Sequence, residues 1–444
     1  MHDGASRQWR STTLGAVTSW MSGGTPSKGN PDYWGGQIPW VSAKSMKCFY
    51  LDDSEDHVTD TAIADGARLV EPGDILLLVR GMTLHNDVPL GIAMRPMTFN
   101  QDVKGIRGAN GAETLFIAYW LLANKIQLLA AVDQASHGTG RLRTDVLHAM
   151  ELQLPPTAEQ LDIAGVLSSL DDKIEQIGRT AAKLEELARA IFRAWFVDFE
   201  PVKAKANGAT SFPSMPQPVF ESLPSVFHDT ELGPAPEGWT CGQIACFACL
   251  SRDQVKPHQH PEEVFEHFSI PAFDAGQRPV VEPGHAIKSN KSLVVEGCVM
   301  LSKLNPRIPR VWLPMAASGR RQIASTEFLV LVPDATRDRH YLYCQLQQST
   351  FRDELIQGVS GTSNSHQRLQ PRDVLEKAII FPEVTVRNAF TEIADPLFAH
   401  IAAGHLEARK LAELRDYLLP KLFSGEVRVR DAECLPGADV GRAA

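Results

Sequence analysis

A run of apolar residues spaced alternately four and three positions apart constrains this chain most. The run follows Pro155-Pro156, and its members are Ile163, Leu167, Leu170, Ile174, Ile177, Ala181, Leu184, Ala188, Ile191 and Trp195. This spacing places the side chains on one stripe of an α-helix. A helix of about 40 residues is about 60 Å long, too long for one compact domain to cover its stripe. We therefore predict a coiled-coil helix; the alternative is a core helix within one globule.

A second helix with the same spacing is predicted near the end of the chain. Its seam positions are Phe390, Ala394, Leu397, Ile401, Gly404, Ala408, Leu411, Arg415, Leu418 and Leu422. Gly404 and Arg415 weaken this seam. Two such helices in one chain would most simply pack on each other. Before the first helix, Thr157 followed by Gln160 forms a capping-box pattern, which predicts the helix start.

The long helices belong to an internal repeat with a period of roughly 225 to 230 residues. "LVEPGDILLL" resembles "LVVEGCVMLS", "TDVLHAMELQLPP" resembles "RDVLEKAIIFPE", and "LEELARAIF" resembles "LAELRDYLL". Each half thus has a globular region followed by one long helix. The predicted segments are globular domain 1–155, long helix 156–200, Pro-rich linker 201–232, globular domain 233–383, long helix 384–430 and disordered tail 431–444.

The globular halves are predicted to be mixed α/β. "GDILLLVR", "CVMLSKL" and "EFLVLVPD" are short apolar runs bounded by turn residues, as strands are. Thr114–Val132 is apolar and lacks proline, which predicts a helix, and Arg339–Leu355 is its counterpart.

Bulk composition indicates a globular cytoplasmic protein. Of the 444 residues, 43% are hydrophobic and 22% charged. The seven cysteines lack framework spacing, and no signal peptide or membrane span is recognisable. The net charge of −9 argues weakly against nucleic-acid binding unless basic residues are clustered.

Catalytic motifs are missing from the sequence. There is no phosphate-binding P-loop, no nucleophile elbow, no H-E-x-x-H and no Asn/Asp-Pro-Pro-aromatic motif of amino-methyltransferases. Cys241, Cys246 and Cys249 lie near His258 and His260 but lack a second ligand pair at zinc spacing. We interpret these cysteines as buried strand residues and predict no metal site.

Basic and polar residues near turns are candidate nucleic-acid contacts, since paired arginines suit phosphates and guanine edges. The alternative is ordinary solvated charge and ion pairing. The polar loop "SGTSNSHQRL" mirrors "SHGTGRL" and adds candidates that suit base edges. The candidates are Arg80, Lys104, Arg107, Arg141, Arg143, Lys303, Arg307, Arg310, Arg320, Arg321, Asn364, His366, Gln367 and Arg368.

The stretch "GGTPSKGNPDYWGGQIPWVSAKSM" is rich in glycine, proline and aromatic residues. We expect its glycines to serve turns and its aromatic residues to pack the domain edge. Thr25, Ser27 and Lys28 are its candidate DNA contacts. No clear copy exists in the second half, which suggests that the halves read different sequences.

With these motifs, the chain resembles the specificity subunit of type I restriction-modification systems. The resemblance rests on "LGAVTSWMSGGTPSKGNPDYWGGQIPWVSAKSM", "LPPTAEQLDIAGVLSSLDDKIE", "LEELARAIFRAWFVDFEPV", "DTELGPAPEGW" and "LAELRDYLLPKLFSGEVRV". It covers nearly the whole chain, from Trp9 to about Arg430.

The resemblance implies two target recognition domains, each binding one part of a bipartite, asymmetric target in double-stranded DNA. It implies that the helices pair antiparallel, space the two parts and dock two methyltransferase subunits, with motor-nuclease subunits in the full complex. The chain itself would be non-catalytic and hold no cofactor, while S-adenosylmethionine, ATP and Mg²⁺ would be held by partner subunits. The residues expected in helix pairing and docking are Ile163, Leu167, Leu170, Ile174, Ile177, Leu184, Ile191, Trp195, Phe390, Leu397, Ile401, Leu411, Leu418 and Leu422.

Two other functions remain open from the residues. One is a coiled-coil adaptor without a nucleic-acid role, which the acidic net charge favours. The other is an enzyme of unrecognised type, which the missing motifs oppose.

Overall fold

The computed structural model describes residues 9–134, 139–315, 319–357 and 367–429. The chain divides into two compact units, one of Met1–Gln176 with Glu407–Ala444 and the other of Ile177–Leu406. The predicted disordered tail at 431–444 lies outside the described residues. Among the described helices, none combines the length and the apolar character that crossing a membrane requires.

The first unit is a mixed α/β domain. Its strands are β1 (Arg10–Thr13), β2 (Thr18–Ser22), β3 (Trp34–Val41), β4 (Tyr50–Leu51), β5 (Asp56–Val58), β6 (Leu69–Val70), β7 (Ile75–Leu78), β8 (Arg80–Gly81), β9 (Leu90–Ala93), β10 (Met97–Phe99), β11 (Val103–Gly108), β12 (Asp133–Gln134), β13 (Gly140–Arg141) and β14 (Glu151–Leu154). Its short helices are α1 (Asp60–Ala64), α2 (Thr114–Ala123), α3 (Lys125–Ala130) and α4 (Thr144–Ala149), and they precede the long helix α5 (Thr157–Phe196).

The second unit repeats this composition. Its helices are α6 (Glu200–Ala206), α7 (Gln217–Ser222), α8 (Ile270–Asp274), α9 (Arg339–Leu346), α10 (Ser349–Gln357) and α11 (Pro371–Leu375), followed by the long helix α12 (Val384–Ser424). Its strands are β15 (Phe227–Thr230), β16 (Gly233–Pro236), β17 (Thr240–Gln243), β18 (Ala248–Leu250), β19 (Gln254–Val255), β20 (Val264–Phe268), β21 (Val280–Pro283), β22 (Lys291–Leu293), β23 (Val299–Ser302), β24 (Val311–Trp312), β25 (Arg321–Ala324), β26 (Phe328–Pro333) and β27 (Ala378–Phe381).

The two units share one sheet topology, which confirms the predicted repeat and the mixed α/β class. The order β2-β11-β7-β9-β4 in the first unit corresponds to β18-β26-β23-β24 in the second. Likewise β5-β3-β10-β6 corresponds to β21-β20-β25-β22, with one parallel pair in each sheet, β3 with β10 and β20 with β25. The strands predicted from "GDILLLVR", "CVMLSKL" and "EFLVLVPD" are present as β7, β23 and β26.

Each helix predicted within a globular half is broken into two. In the first unit α2 ends before Asn124, whose side-chain amide donates to the Trp120 carbonyl at 2.8 Å. In the second, the Gln348 amide donates to the Cys344 carbonyl at 2.9 Å between α9 and α10. A side-chain donor that satisfies a carbonyl near a helix end favours a stop there. The apolar composition alone did not show these breaks.

The segment 201–232, which we expected to be a linker, holds the short helix α7, most of α6 and strand β15. Val202, Met215 and Phe220 are buried in the core of the second unit. Phe199, just before this segment, packs edge-on against Trp239 with ring centroids 5.6 Å apart. The prolines therefore shape a packed segment, because its apolar residues have a core to enter.

Helix α5 begins at Thr157 as predicted, but the capping-box interpretation of Gln160 is wrong. The Gln160 side chain is buried and accepts a hydrogen bond from the Glu113 backbone N–H at 2.8 Å. Its amide donates to the carbonyls of Gly111 and Pro155, both at 2.8 Å. Gln160 thus ties the first turn of α5 to the turn before α2.

The long helices pair within each unit. In the second unit, Ile177 near the start of the α5 segment contacts Gly404 near the end of the α12 segment, whereas Trp195 packs on Phe390. The α5 and α12 segments of this unit therefore run antiparallel. In the first unit, Ile163 and Leu167 share a core with Leu419 and Leu422. Of the predicted seam residues, those only half-buried are Leu170, Ile174, Leu184, Leu397, Ile401, Leu411 and Leu418.

Both interruptions of the second seam have a structural explanation. A Cβ added to Gly404 would lie 3.0 Å from Ile177 Cγ2, so glycine permits the helices to approach closely there. Arg415 is paired with the buried carboxylate of Asp171 on the facing helix. Neither residue is a packing defect.

Candidate nucleic-acid interface

Two arginines lie directly opposite each other on a strand pair of the first unit. Strands β8 and β13 are antiparallel, and Arg80 is the register partner of Arg141. The neighbouring residues Val79 and Leu142 are buried, whereas both arginines are exposed. Since side chains alternate along a strand, burial of these neighbours turns the two guanidinium groups to solvent. The structure therefore brings together Arg80 and Arg141, which the sequence placed 61 positions apart.

The second unit has an equivalent position with different residues. The Leu142 N–H donates to the Val79 carbonyl at 2.8 Å, and the Leu369 N–H donates to the Lys303 carbonyl at 2.9 Å. The isolated bridge that follows pairs Leu304 with Arg368. Arg141 therefore corresponds to Arg368, and Arg80 corresponds to Leu304.

Arg368 is neutralised by a carboxylate. Its Nη2 lies 3.0 Å from Glu327 Oε1, and its side chain is exposed while that of Glu327 is mostly buried. The guanidinium still faces solvent but carries a local counter-charge. Arg368 is thus a weaker phosphate candidate than Arg141.

Arg107 belongs to a groove on the sheet of the first unit. Its Nε and Nη2 donate to the two carboxylate oxygens of Asp74 at 2.6 and 2.7 Å. These hydrogen bonds raise the pKa of Arg107, so its charge is fixed. The groove has a volume of about 440 Å³, and Trp20, Met21 and Arg68 also line it. Sequence reasoning missed Arg68, because no motif surrounds it.

Lys104 lies on the same strand, β11, and is half-buried. Its Nζ donates to Ser22 Oγ at 2.6 Å. The register pairs Lys104 with Leu77 of β7 on one side and with Ser22 of β2 on the other. Strand β11 is thus an interior strand of its sheet, and the Lys104 ammonium group is held by a neutral partner.

Arg310 is a correction to the predicted contacts. Its side chain is 8% exposed, and its Nε and Nη2 donate to the Asp274 carboxylate at 2.7 and 2.8 Å. A buried guanidinium with a bidentate partner is part of the domain interior and cannot reach DNA without unfolding its surroundings. The arginine-rich spacing of "NPRIPR" did not show which of its arginines points inward.

Two other predicted arginines are ion-paired at the surface. Arg143 pairs with Asp145 two residues away, and Arg321 lies 3.9 Å from Glu263. Exposed pairs of this kind contribute little stability and open readily. They remain available but carry less free charge.

The remaining basic candidates have no ion-pair partner among the described residues. In the second unit, Arg307 and Arg320 are exposed and Lys303 is half-buried. Lys28 is exposed in the first unit. The role of these residues as DNA contacts remains a prediction.

The glycine- and tryptophan-rich stretch packs the edge of the first unit, as expected. Trp40 is 6% exposed and meets Trp34 edge-on with ring centroids 5.3 Å apart. Each indole N–H is used locally, since Trp40 donates to the Gly24 carbonyl at 3.1 Å and Trp34 to the Ser27 carbonyl at 3.2 Å. The aromatic residues are therefore structural.

The polar residues of this stretch are exposed. The Thr25 hydroxyl donates to Gln101 Oε1 at 2.7 Å, and the side chains of Ser27 and Lys28 face solvent. Gly23 could not be replaced without a clash, because an added Cβ would lie 2.3 Å from the Phe99 carbonyl oxygen. The loop is thus pinned at one end while its polar side chains remain accessible.

The polar loop of the second unit is described only in part. Asn364 and His366 lie outside the described residues. Gln367 is half-buried, and among the described residues its Oε1 is a buried acceptor without a hydrogen-bond partner, as is Oδ1 of Asn305. The Asn305 backbone N–H donates to the Gln367 carbonyl at 2.9 Å, so the two residues are neighbours in the fold. Sequence reasoning missed Asn305, although a left-handed asparagine (φ +48°) before proline is a recognisable turn signal.

The expected burial of the strand cysteines is wrong for two of the three. Cys246 and Cys249 are exposed, and Cys241 is half-buried. The reason is that β18 is the edge strand of its sheet and Cys246 precedes it in a turn. Within the described residues, no three His, Cys, Asp or Glu side chains are grouped to hold a metal ion.

Apolar side chains remain exposed on the outer faces of the long helices. In the first unit these are Leu161 of α5 with Leu414 and Tyr417 of α12. In the second unit they are Leu187 of α5 and Leu406 of α12. Each unit thus presents exposed apolar residues on both helices, outside the seam that holds the helices together.

Comparison with known proteins supports a DNA specificity domain. Residues 6–186 match the family model of the type I restriction modification DNA specificity domain. The chain is 26% identical over 452 residues to the specificity subunit of the type I restriction enzyme MjaIX from Methanocaldococcus jannaschii, covering 96% of this chain and 95% of that protein. It is 23% identical over 370 residues to the specificity subunit of the HindI enzyme from Haemophilus influenzae, covering 70% and 77%.

The fold is also shared with a solved structure. The crystal structure of the S subunit of a type I restriction-modification system from M. genitalium superposes with a TM-score of 0.53 at 13% identity. The superposition covers 95% of this chain and 98% of that chain. The likeness therefore extends over both units.

Proposed function

We propose that the chain, which is similar to type I restriction enzyme specificity subunits, gives such a complex its DNA sequence specificity by reading a bipartite, asymmetric target. The observation that carries the proposal is the duplicated unit. The two domains have corresponding strand orders, and each carries exposed basic residues. In each unit, residues of both long helices share one hydrophobic core. One domain per half-site is the simplest use of such a repeat.

The asymmetry of the target follows from residues that differ at equivalent positions. The strand registers make Lys104 equivalent to Leu329 and Arg107 equivalent to Val332. Two charged positions of β11 in the first unit are thus apolar in β26 of the second. Two readers with different surfaces would select different bases.

The long helices suit the spacing of the two half-sites and the docking of partner subunits. A helix of 40 residues is about 60 Å long. The exposed apolar residues Leu161, Leu414 and Tyr417 in the first unit, and Leu187 and Leu406 in the second, would each face one methyltransferase subunit. Two copies of this partner then bind one chain, one copy per unit.

The chemistry would belong to the partners. We propose that methyltransferase subunits hold S-adenosylmethionine, and that motor-nuclease subunits use ATP and Mg²⁺ for restriction in the cytoplasm. The net charge of −9 fits this division, because part of the DNA affinity would then come from partner surfaces.

The test is selection from random duplex DNA by the chain co-purified with its methyltransferase subunit. We expect enrichment of one sequence with two fixed segments and an unspecified gap. Partner binding without sequence enrichment would instead favour the coiled-coil adaptor and would sink the proposal.

A further inference from the structure

We propose that Arg80 and Arg141 of the first unit together hold one phosphodiester group of the DNA backbone, and that the second unit lacks this clamp. The inference rests on the proposed function, since it assigns a site on the DNA-binding chain. It goes further by naming the two side chains, the chemical group they hold and the difference between the units.

The backbone fixes the two side chains on one face. Arg80 and Arg141 are register partners of an antiparallel pair, which places their Cβ atoms about 5 Å apart. Gly140, next to Arg141, permits the pairing, because a Cβ at this position would lie 2.8 Å from Leu84 Cβ. The buried side chains of Val79 and Leu142 anchor the opposite face in the core. The two arginines cannot turn away without exposing these residues.

The pair carries a net positive charge. Like charges directly opposite each other destabilise a sheet. On the far side of Arg141, the register places Asp133 of β12, which supplies one carboxylate for two guanidinium groups. The nearby Arg143 is taken by Asp145. Within the part of the chain that the structure describes, neither Arg80 nor Arg141 forms an ion pair. An added anion would therefore relieve the repulsion.

A phosphodiester suits the chemistry of the pair. Guanidinium groups donate two parallel hydrogen bonds to phosphate oxygens, and two arginine side chains whose Cβ atoms lie about 5 Å apart can share the two free oxygens of one phosphate. Duplex DNA presents such groups in a regular row. The clamp would position the backbone and carry no base information.

The second unit lacks both features of this clamp, the opposed pair of arginines and the absence of an ion-pair partner. The position of Arg80 is occupied by Leu304, and Arg368 is paired with Glu327 at 3.0 Å. The equivalence rests on backbone hydrogen bonds as well as on register, since the Val79 N–H donates to the Asp102 carbonyl as the Lys303 N–H does to that of Glu327, both at 2.8 Å. The two units therefore differ in this phosphate contact.

The salt dependence of binding measures the clamp directly. The probe is the duplex selected by the full chain with its methyltransferase subunits, titrated over a range of salt concentrations. Each phosphate contact contributes about 0.9 to the slope of log affinity against log salt. The double variant Arg80→Gln/Arg141→Gln should lose about one unit of slope and about tenfold in affinity at moderate salt. Each single variant should give most of that loss, because both side chains hold the same phosphate.

Matched controls use arginines that the clamp does not need. Arg428→Gln in the first unit and Arg372→Gln in the second should leave the slope unchanged, because these arginines are outside the candidate contacts and are ion-paired with Glu159 and Glu376. Thermal melting of the free Arg80→Gln/Arg141→Gln chain should be unchanged or higher, since a repulsion is removed. A lower melting temperature would assign the arginines a structural role and overturn the proposal.

A gain-of-function variant tests the clamp from the opposite direction. Leu304→Arg combined with Glu327→Gln should install the pair in the second unit and add about one unit of slope. An unchanged slope in this variant, or in Arg80→Gln/Arg141→Gln, contradicts the clamp while sequence-specific binding stands. If the wild-type complex selects no sequence, the proposed function itself fails instead.

Discussion

Arg415 on one long helix donates a hydrogen bond from Nη1 to Oδ1 of Asp171 on the other, at 2.5 Å. Asp171 is 6% exposed, and its second oxygen accepts a hydrogen bond from the Tyr119 hydroxyl at 2.8 Å. Burial lowers the pKa of Arg415, but the carboxylates of Asp171 and Asp416 outweigh this effect and raise it overall. A charged pair inside an apolar seam is satisfied at one alignment of the helices only, so it fixes their register.

Removal of one partner of this pair should destabilise the first unit. Asp171→Asn removes the buried counter-charge of the half-buried Arg415 guanidinium and leaves it only the exposed carboxylate of Asp416, so we expect a loss of about 1 to 3 kcal/mol in the free energy of unfolding. Urea denaturation followed by tryptophan fluorescence measures it. Asp172→Asn, an exposed neighbour, is the control and should change stability by less than about 0.5 kcal/mol.

Replacement of both partners should be tolerated better than replacement of one. Asp171→Leu with Arg415→Met substitutes apolar packing for the ion pair, which is often neutral. Recovery of most of the lost stability is expected. A double variant as unstable as Asp171→Asn would show that the pair contributes more than the charge compensation argued above.

The contact of Gly404 with Ile177 predicts opposite effects at two helical glycines. Gly404→Leu should force the helices apart and cost about 1 to 3 kcal/mol, because an added Cβ already lies 3.0 Å from Ile177 Cγ2. Gly178→Ala meets no atom within 4 Å and should stabilise by up to about 1 kcal/mol through helix propensity. Thermal melting of the two variants checks this, and equal shifts would contradict the close approach.

These two seam positions show what the sequence can predict of the helices. Periodicity located both helices, because apolar spacing is a local property. The sequence pattern shows Arg415 and Gly404 only as breaks in the apolar seam, because their partners are distant in sequence. Asp171, for example, lies 244 residues before Arg415. A single sequence does not show which distant residue compensates a break in a pattern.

Substitutions of Gln160 and Thr157 test whether Gln160 links α5 to the preceding turn or forms a capping box with Thr157. Gln160→Ala removes three buried hydrogen bonds to the turn at 111–113 and to Pro155, and should cost about 2 to 3 kcal/mol. Thr157→Ala changes an exposed side chain and should cost less than about 0.5 kcal/mol. Urea denaturation of both variants is the measurement. A larger effect for Thr157 would restore the capping-box interpretation.

Arg307 and Arg310 should behave differently although they lie only three positions apart. Arg307→Ala should lower the affinity of the complex for its selected duplex by about threefold to tenfold and leave the melting temperature unchanged, since Arg307 is exposed. Arg310→Ala should lower stability by about 1 to 3 kcal/mol, since its guanidinium is buried against Asp274. Loss of stability in Arg307→Ala without loss of affinity would remove it from the interface.

The candidate interface was predictable from the sequence only as a set of residue types. The duplicated loops identified Arg141 and Arg368, and the equivalent hydrogen bonds of Leu142 and Leu369 show that the alignment was correct at these described ends of the loops. Exposure was not predictable, because Arg310 is buried by Asp274, which lies 36 residues earlier. The same limit applies to Cys246 and Cys249, whose exposure depends on the edge position of β18.

The most direct test of the central claim, that two different readers on one chain define one split target, is methylation mapping of genomic DNA in cells that express this chain with its methyltransferase subunit. The account predicts methylation at one asymmetric sequence made of two specified segments with a constant gap. Methylation at a continuous or palindromic sequence, or without sequence preference, would contradict it.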